Sequence, residues 1–259
     1  YISKLLKIPH VVSVRNVDVN EVFRYLFILK RTLKKILKDA DSIIFLNPTY
    51  RDRTISIFED HKSNHITNKS FVIPSAIDDF WNQNIGKSKK LPVCLELLYV
   101  GEISPNKNIH FLIELFLNNW SRDKFNITII GGTKDKIENS KYLSFLKDKY
   151  SIYSEVKFLD EVNKKEELLS HYKNSTIFFM ASFRETFGLV YFEAMSQGTP
   201  VIFSKEQGID GYFPQGFIGY SIDPNDYDDA FKKVRLLVNN YERISNNCIK
   251  SIKKITKTS

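Results

Sequence analysis

The sequence predicts an α/β fold of doubly wound parallel sheets in two units, and three observations carry that expectation. Short apolar, β-branched or aromatic runs alternate with longer stretches of helical spacing along nearly the whole chain. In the second half, strand, helix and strand follow one another so regularly that parallel strands joined by helical crossovers are the simplest connection. Between the halves, residues 77–90 are polar and lysine-rich enough to read as a linker.

In chain order, residues 9–14 (Pro-His-Val-Val-Ser-Val) read as a strand leading into the polar loop Arg15–Asn20. Glu21–Lys38 reads as an amphipathic helix. Its apolar side carries Phe23, Leu26, Phe27, Leu33, Ile36 and Leu37, and its charge comes from Arg24, Lys30, Arg31, Lys34, Lys35 and Lys38. Such a helix suits an anionic membrane surface; packing on its own sheet with a solvated basic side is the plainer reading. Residues 41–46 form a short buried strand, Tyr50–Phe58 a helix and Phe71–Pro74 another strand. This first domain is read as 1–76 and the second as 91–259. The second is expected to hold strands at Cys94–Val100, Phe125–Ile130, Glu155–Leu159, Thr176–Met180 and Pro200–Ser204. Its helices are expected at Asn108–Leu117, Lys136–Lys149, Lys165–Lys173, Leu189–Gln197 and Asn225–Leu237.

Composition narrows the function classes. A chain of 259 residues suits one large or two ordinary domains, and 42% hydrophobic with 14% aromatic content argues for packed cores over disorder. Two cysteines, Cys94 and Cys248, make neither a disulfide framework nor a metal-ligand cluster, which points to a reducing, cytoplasmic setting. No apolar run approaches the roughly 18 residues of a membrane span. The net charge of +8 permits an anionic partner. The basic residues are dispersed, however, and no nucleic-acid-binding signature accompanies them, so nucleic acid is not the expected partner. The start at Tyr1 leads to the expectation of a fragment.

The stretch with most chemistry is Arg184–Glu193, where Glu185 and Glu193 stand with seven residues between them. The apolar run ending at Met180 is a strand, and the helix from Leu189 stops at Gly198 with Pro200 beyond. Glu185 therefore lies in a strand-to-helix loop and Glu193 in the helix. Backbone N–H groups at Phe187, Gly188 and Leu189 form an anion site between them. A carboxylate on each side of a phosphate site suits a ligand with hydroxyls at both ends, the layout of a nucleotide sugar. Two further strand ends add Gly101 with Lys107, a point charge at a helix entry, and Gly131-Gly132, where backbone can approach a ligand. The bland alternatives are capping or solvated glutamates, a solvated lysine and a tight turn. His110 and His171 lack metal-ligand partners and read as structural.

The series Tyr99-Val100-Gly101-Glu102-Ile103 with Lys107, Ile129-Ile130-Gly131-Gly132, Glu185–Glu193 and Gly198-Thr199-Pro200-Val201-Ile202 resembles the donor domain of GT-B glycosyltransferases of the large retaining family 4. Residues 72–78 resemble that family's hinge segment. The resemblance implies two Rossmann-like domains, the first incomplete, and transfer of a sugar from a nucleotide sugar with retention, without metal or cofactor, to a glycan or lipid-linked acceptor. It implies Glu185 near the donor-sugar hydroxyls, Glu193 on the ribose, Lys107 on the diphosphate and Phe187–Leu189 as its backbone cradle. It further places Leu159, Asp160 and Val162 around the base, and Arg15, Asp18 and Asn20 on the acceptor side. Three departures stand out. Glu102 replaces a frequent arginine, Arg15 a usual histidine, and the family's first strands, two or three βα units of about 30 residues each, are absent. A non-catalytic nucleotide-sugar-binding subunit and a nucleotide-sugar epimerase share enough of this pattern to stay open. A glycosidase leaves the phosphate cradle unexplained.

Overall fold

The computed structural model describes residues 6, 8–15, 18, 29–59 and 64–255. By its contacts the chain divides into two units. One takes in Tyr1–Ser75, Arg184–Phe187 and Glu206–Tyr212; the other takes in Ala76–Phe183, Gly188–Lys205 and Phe213–Ser259.

In the first unit, β1 (Val11–Val14), α1 (Lys30–Asp39), β2 (Ser42–Phe45), α2 (Pro48–Phe58) and β3 (Ser70–Val72) follow one another, and the three strands pair in parallel in the order β1-β2-β3. The register sets Val12 beside Ile43 and Ile44 beside Phe71. Leu37 of α1, Ile43 and Phe45 of β2, and Tyr50 and Phe58 of α2 close the core with Val14 and Ile66. Pro48 opens α2 and the Asn47 side chain caps it, accepting the Tyr50 N–H at 2.7 Å. At the other end of α1, Lys69 Nζ donates to the carbonyls of Lys38 and Ala40, both at 2.6 Å, satisfying groups a helix C-terminus leaves open. Of the helix expected from Glu21, residues 21–28, with Phe23, Arg24, Leu26 and Phe27, lie outside the described residues. From Lys30 onward Leu37 is buried and Leu33 packs on the core, while Ile36 faces out.

The second unit opens on α3 (Asp79–Gln83) and continues through β4 (Leu95–Val100), α4 (Ile109–Asn119), β5 (Phe125–Ile130), α5 (Ile137–Tyr150) and β6 (Val156–Leu159). It then runs through α6 (Lys165–Asn174), β7 (Ile177–Phe179), α7 (Leu189–Ser196), β8 (Val201–Ser204), β9 (Gly219–Ile222), α8 (Tyr227–Asn239) and α9 (Tyr241–Ile255). All six strands are parallel in the order β6-β5-β4-β7-β8-β9. The chain winds outward from β4 to β6 and returns beside β4 with β7, so the order reverses between those two strands. In open sheets of this kind the ligand crevice forms outside the carboxyl ends at that reversal. β7 and β8 are buried along their whole length, which explains the apolar runs Ile177–Phe179 and Val201-Ile202-Phe203.

Three elements go beyond the sequence reading: α3, inside the stretch read as a linker, β9 and α9. β9 is four residues long, and its Gly219 is packed so tightly that a Cβ would lie 1.7 Å from the Val201 carbonyl oxygen. α9 buries Tyr241, Ile244, Cys248, Ile249 and Ile252, a helical spacing interrupted by enough Asn, Ser and Lys to pass as loop. The polar stretch 77–90 groups with the second unit. Trp81 of α3 is buried, the Gly86 N–H donates to the Ser196 carbonyl at 2.8 Å, and Lys89 Nζ reaches the Tyr172 and Ser175 carbonyls at 2.9 and 2.7 Å.

Candidate functional site

A cavity of ≈ 310 Å³ opens at the carboxyl ends of β4, β5 and β6. Gly101 and Glu102 follow β4, Gly131, Gly132 and Lys134 follow β5, and Glu161 and Val162 follow β6; Leu168 of α6 and Val190 and Glu193 of α7 complete the wall. Main-chain bonds stitch its floor: the Gly101 N–H donates to the Ile130 carbonyl at 3.0 Å and the Ile103 N–H to the Gly132 carbonyl at 2.8 Å. The loops are so close that a Cβ on Gly131 would sit 1.8 Å from the Gly101 carbonyl oxygen, so only glycine fits.

Glu102 adds a negative charge to this wall, and the fold answers it. Its carboxylate accepts from Asn139 Nδ2 at 2.8 Å and lies 3.4 Å from Lys136 Nζ and 3.9 Å from Lys134 Nζ. Both lysines flank a tight turn in which the Lys136 N–H donates to the Thr133 carbonyl and Lys134 and Asp135 adopt φ of 51° and 56°. Left-handed conformations at two consecutive non-glycine residues are costly, about 1–2 kcal/mol per residue. Local strain of this kind concentrates at ligand sites.

Glu193 projects from the second turn of α7, a helix that starts after Gly188, whose φ of 77° suits a residue without a Cβ. Its Oε2 accepts from the Tyr172 hydroxyl at 2.9 Å. Burial raises the Glu193 carboxyl above its ordinary range. The Tyr172 hydrogen bond opposes that shift, Asp78 adds to it and Lys165 counters it. Asp78 and Lys165 themselves pair at 2.7 Å.

Glu185 is placed differently. It groups with the first unit and is absent from the cavity wall. Its N–H donates to Gln207 Oε1 at 3.2 Å, and its carbonyl accepts from the Tyr50 hydroxyl and from the Gly208 N–H. Its own Oε1 accepts from the Thr186 N–H at 3.0 Å. Phe187, in the same unit, is buried with its ring edge-on to Tyr212. Sequence reasoning missed Tyr50 and Gln207, whose partners lie over 130 residues or about 20 residues away along the chain (135 and 22).

Of the residues singled out from the sequence, the cavity therefore gathers Gly101, Glu102, Gly131, Gly132, Val162 and Glu193. Lys107, Gly188, Leu189, Leu159 and Asp160 belong to the same unit but not to that wall. Lys107 ends a 3-10 turn (Pro105–Lys107) before Asn108, which takes φ of 52° at the start of α4 and donates through Nδ2 to the Pro224 carbonyl. Leu159 and Asp160 are exposed at the end of β6. In the first unit, Arg15 is exposed and its N–H donates to the Asp18 carboxylate at 2.8 Å; Asn20 lies outside the described residues. His110 bonds the Tyr142 hydroxyl at 2.9 Å, and burial lowers its pKa. Among the described residues no helix is long and apolar enough to cross a membrane.

The family model described as Glycosyl transferases group 1 matches residues 80–255. A D-inositol 3-phosphate glycosyltransferase of Corynebacterium urealyticum is 25% identical over 209 residues, covering 76% of this chain and 48% of that protein. The capsular polysaccharide biosynthesis glycosyltransferase CapM of Staphylococcus aureus is 28% identical over 144 residues, covering 54% of this chain and 36% of CapM. The chain thus spans about half the length of the first of these relatives, and less of the second. Among solved structures, Anabaena Alr3699/HepE in complex with UDP superposes with a TM-score of 0.75 at 16% identity, covering 99% of this chain and 72% of that one. These neighbours have the GT-B fold of two parallel-sheet domains, and so does this chain.

Proposed function

This chain belongs to the glycosyl transferases group 1 family, and on that premise we propose that it works in transfer of a sugar from a nucleotide sugar to a glycan or lipid-linked acceptor, with retention and without a metal. The observation that carries the reading is the cavity at the carboxyl ends of β4, β5 and β6. Its floor is glycine backbone, and of the three carboxylates on its wall, Glu102, Glu161 and Glu193, Glu193 is the one carried by a helix and held by a tyrosine hydroxyl. A flat base lies against backbone that no side chain covers, and the carboxylate accepts from hydroxyls of the attached ribose. The diphosphate then meets Lys107 and the N-terminal turn of α7, whose N–H groups and dipole favour anions. A nucleoside diphosphate is a good leaving group, so electrostatic stabilisation of the departing phosphate is the main catalytic contribution and no general acid of raised pKa is required. Glu185 acts on the sugar being transferred, and Arg15, Asp18 and Asn20 on the acceptor side.

CapM, named for capsular polysaccharide biosynthesis, supports a role in surface polysaccharide synthesis, and the HepE structures with UDP and with UDP-glucose support a nucleotide-sugar donor. The exposed basic residues Arg31, Lys35 and Lys38 of α1 suit a peripheral contact with an anionic inner membrane face, where a lipid-linked acceptor resides. The test is incubation of the full-length gene product with a panel of nucleotide sugars, with slow hydrolysis followed by NMR. Initial release of free sugar with the anomeric configuration of its donor supports retaining transfer; an inverted product excludes it. Product only with an acceptor, or an epimer without one, separates a transferase from a binding subunit and from an epimerase.

A further inference from the structure

Tyr172 is buried completely, yet its hydroxyl reaches a cavity-lining carboxylate. Its ring stands edge-on to Trp81 of α3 at 5.5 Å and tilted against Phe178 of β7 at 5.9 Å. Its carbonyl accepts from Lys89 Nζ at 2.9 Å and from Thr199 Oγ1 at 2.8 Å. Helix, strand and the segment after α3 thus hold this phenol from separate directions. Across from it, Oε2 is the one carboxylate oxygen of Glu193 with a hydrogen-bond partner among the described residues.

We propose that Tyr172 is a positioning residue: by fixing Oε2 it leaves Oε1 of Glu193 oriented to the cavity as the acceptor for a vicinal diol, the 2′ and 3′ hydroxyls of a ribonucleotide. The inference rests on the cavity's reading as a nucleoside site. A carboxylate free to rotate loses entropy when it binds a diol, whereas one already held does not. The same bond favours the charged form of Glu193. Burial favours the protonated acid, which is a poorer acceptor, and the phenol shifts the balance back. The charged groups around Glu193 are Asp78 and Lys165 beside it and Glu102, Lys134 and Glu161 along the cavity.

The experiment is calorimetric titration of UDP, GDP and ADP, each beside its 2′,3′-dideoxy counterpart, against wild type and variants as a function of pH. Wild type should prefer the ribo form of the nucleotide it binds. Tyr172→Phe keeps the packed ring and should reduce that preference by about fivefold, the scale of one modest hydrogen bond, with dideoxy affinity unchanged. The acid limb of ribonucleotide binding should move to higher pH. 3-Fluorotyrosine at position 172 retains and acidifies the hydroxyl, so it should move that limb to lower pH. Glu193→Gln should abolish the preference, and Tyr172→Phe should add nothing on that background. Equal loss for ribo and dideoxy forms in Tyr172→Phe, or an unmoved acid limb in both Tyr172 variants, overturns the positioning role. A ribo preference that survives Glu193→Gln overturns the diol reading, and the inference with it. Wild type that binds none of the nucleotides overturns the cavity's reading as a nucleoside site, and so both.

Discussion

The two glutamates of the Glu185–Glu193 stretch share a motif but not an environment. Glu193 lies on a regular helix, is half-buried, and is held through its side chain by Tyr172. Glu185 lies in a loop and is held through its main chain by Tyr50, Gln207 and Gly208, its carboxylate turned to the next N–H. A side chain fixed in a cavity suits an unchanging part of a ligand. A side chain on a loop whose backbone is pinned suits a contact that forms as the reaction proceeds. The spacing of the motif thus brings together two different kinds of carboxylate.

The largest effect that sharpens this contrast is expected at Glu185. Removing an interaction that strengthens in the transition state lowers kcat, whereas removing uniform binding raises KM. Glu185→Gln should lower kcat by about 10²-fold or more, the scale of one lost preorganised electrostatic contact, with nucleoside diphosphate affinity nearly intact. Steady-state kinetics beside calorimetry checks it, and an unchanged kcat breaks the contrast. Next comes Lys107→Ala, which should weaken nucleoside diphosphate binding by about 1.5–3 kcal/mol, the range for charge-assisted hydrogen bonds, and leave the bare nucleoside unaffected. Equal losses for both would assign the lysine to the fold.

Smaller effects appear in stability. Burial raises Glu193 relative to an unfolded carboxylate, so its charged form destabilises the fold at neutral pH, a penalty relieved as pH falls through the folded pKa. Glu193→Gln should therefore raise Tm slightly at neutral pH, while Glu185→Gln leaves it unchanged. Glu114 has the opposite sign. Burial pushes it up, but Lys149, Tyr150 and Tyr227 all donate to it and hold it at about 2, against an ordinary value of 4.5. Its contribution is fully present above the unfolded value and disappears as pH falls from about 4.5 towards 2. Glu114→Gln should flatten that limb of the denaturation profile.

Much of this was legible in the chain. β7 is a continuous apolar run and β4, β5 and β8 are largely apolar because both faces of the sheet are covered, and the glycines at the carboxyl ends of β4 and β5 mark where the site forms. Glu193 and Gly131 follow from local pattern alone. Other features depend on partners remote in sequence. Nothing near Glu185 announces Tyr50, and nothing near Glu193 announces Tyr172, because these contacts form only in the tertiary structure. The polar composition of residues 77–90 conceals Trp81 and Lys89, each anchored in the second unit. The negative charge of Glu102 is matched by Lys134 and Lys136, which a motif read position by position does not pair with it.

The central claim is that Glu193 holds the ribose end of a nucleotide sugar while Glu185 serves the transferred sugar. The most direct measurement is calorimetric titration of the cognate nucleoside diphosphate against Glu193→Gln and Glu185→Gln side by side. The account predicts about tenfold weaker binding for Glu193→Gln, as expected for a lost hydrogen bond to a charged group, and wild-type affinity for Glu185→Gln. Equal affinities in the two variants would contradict it.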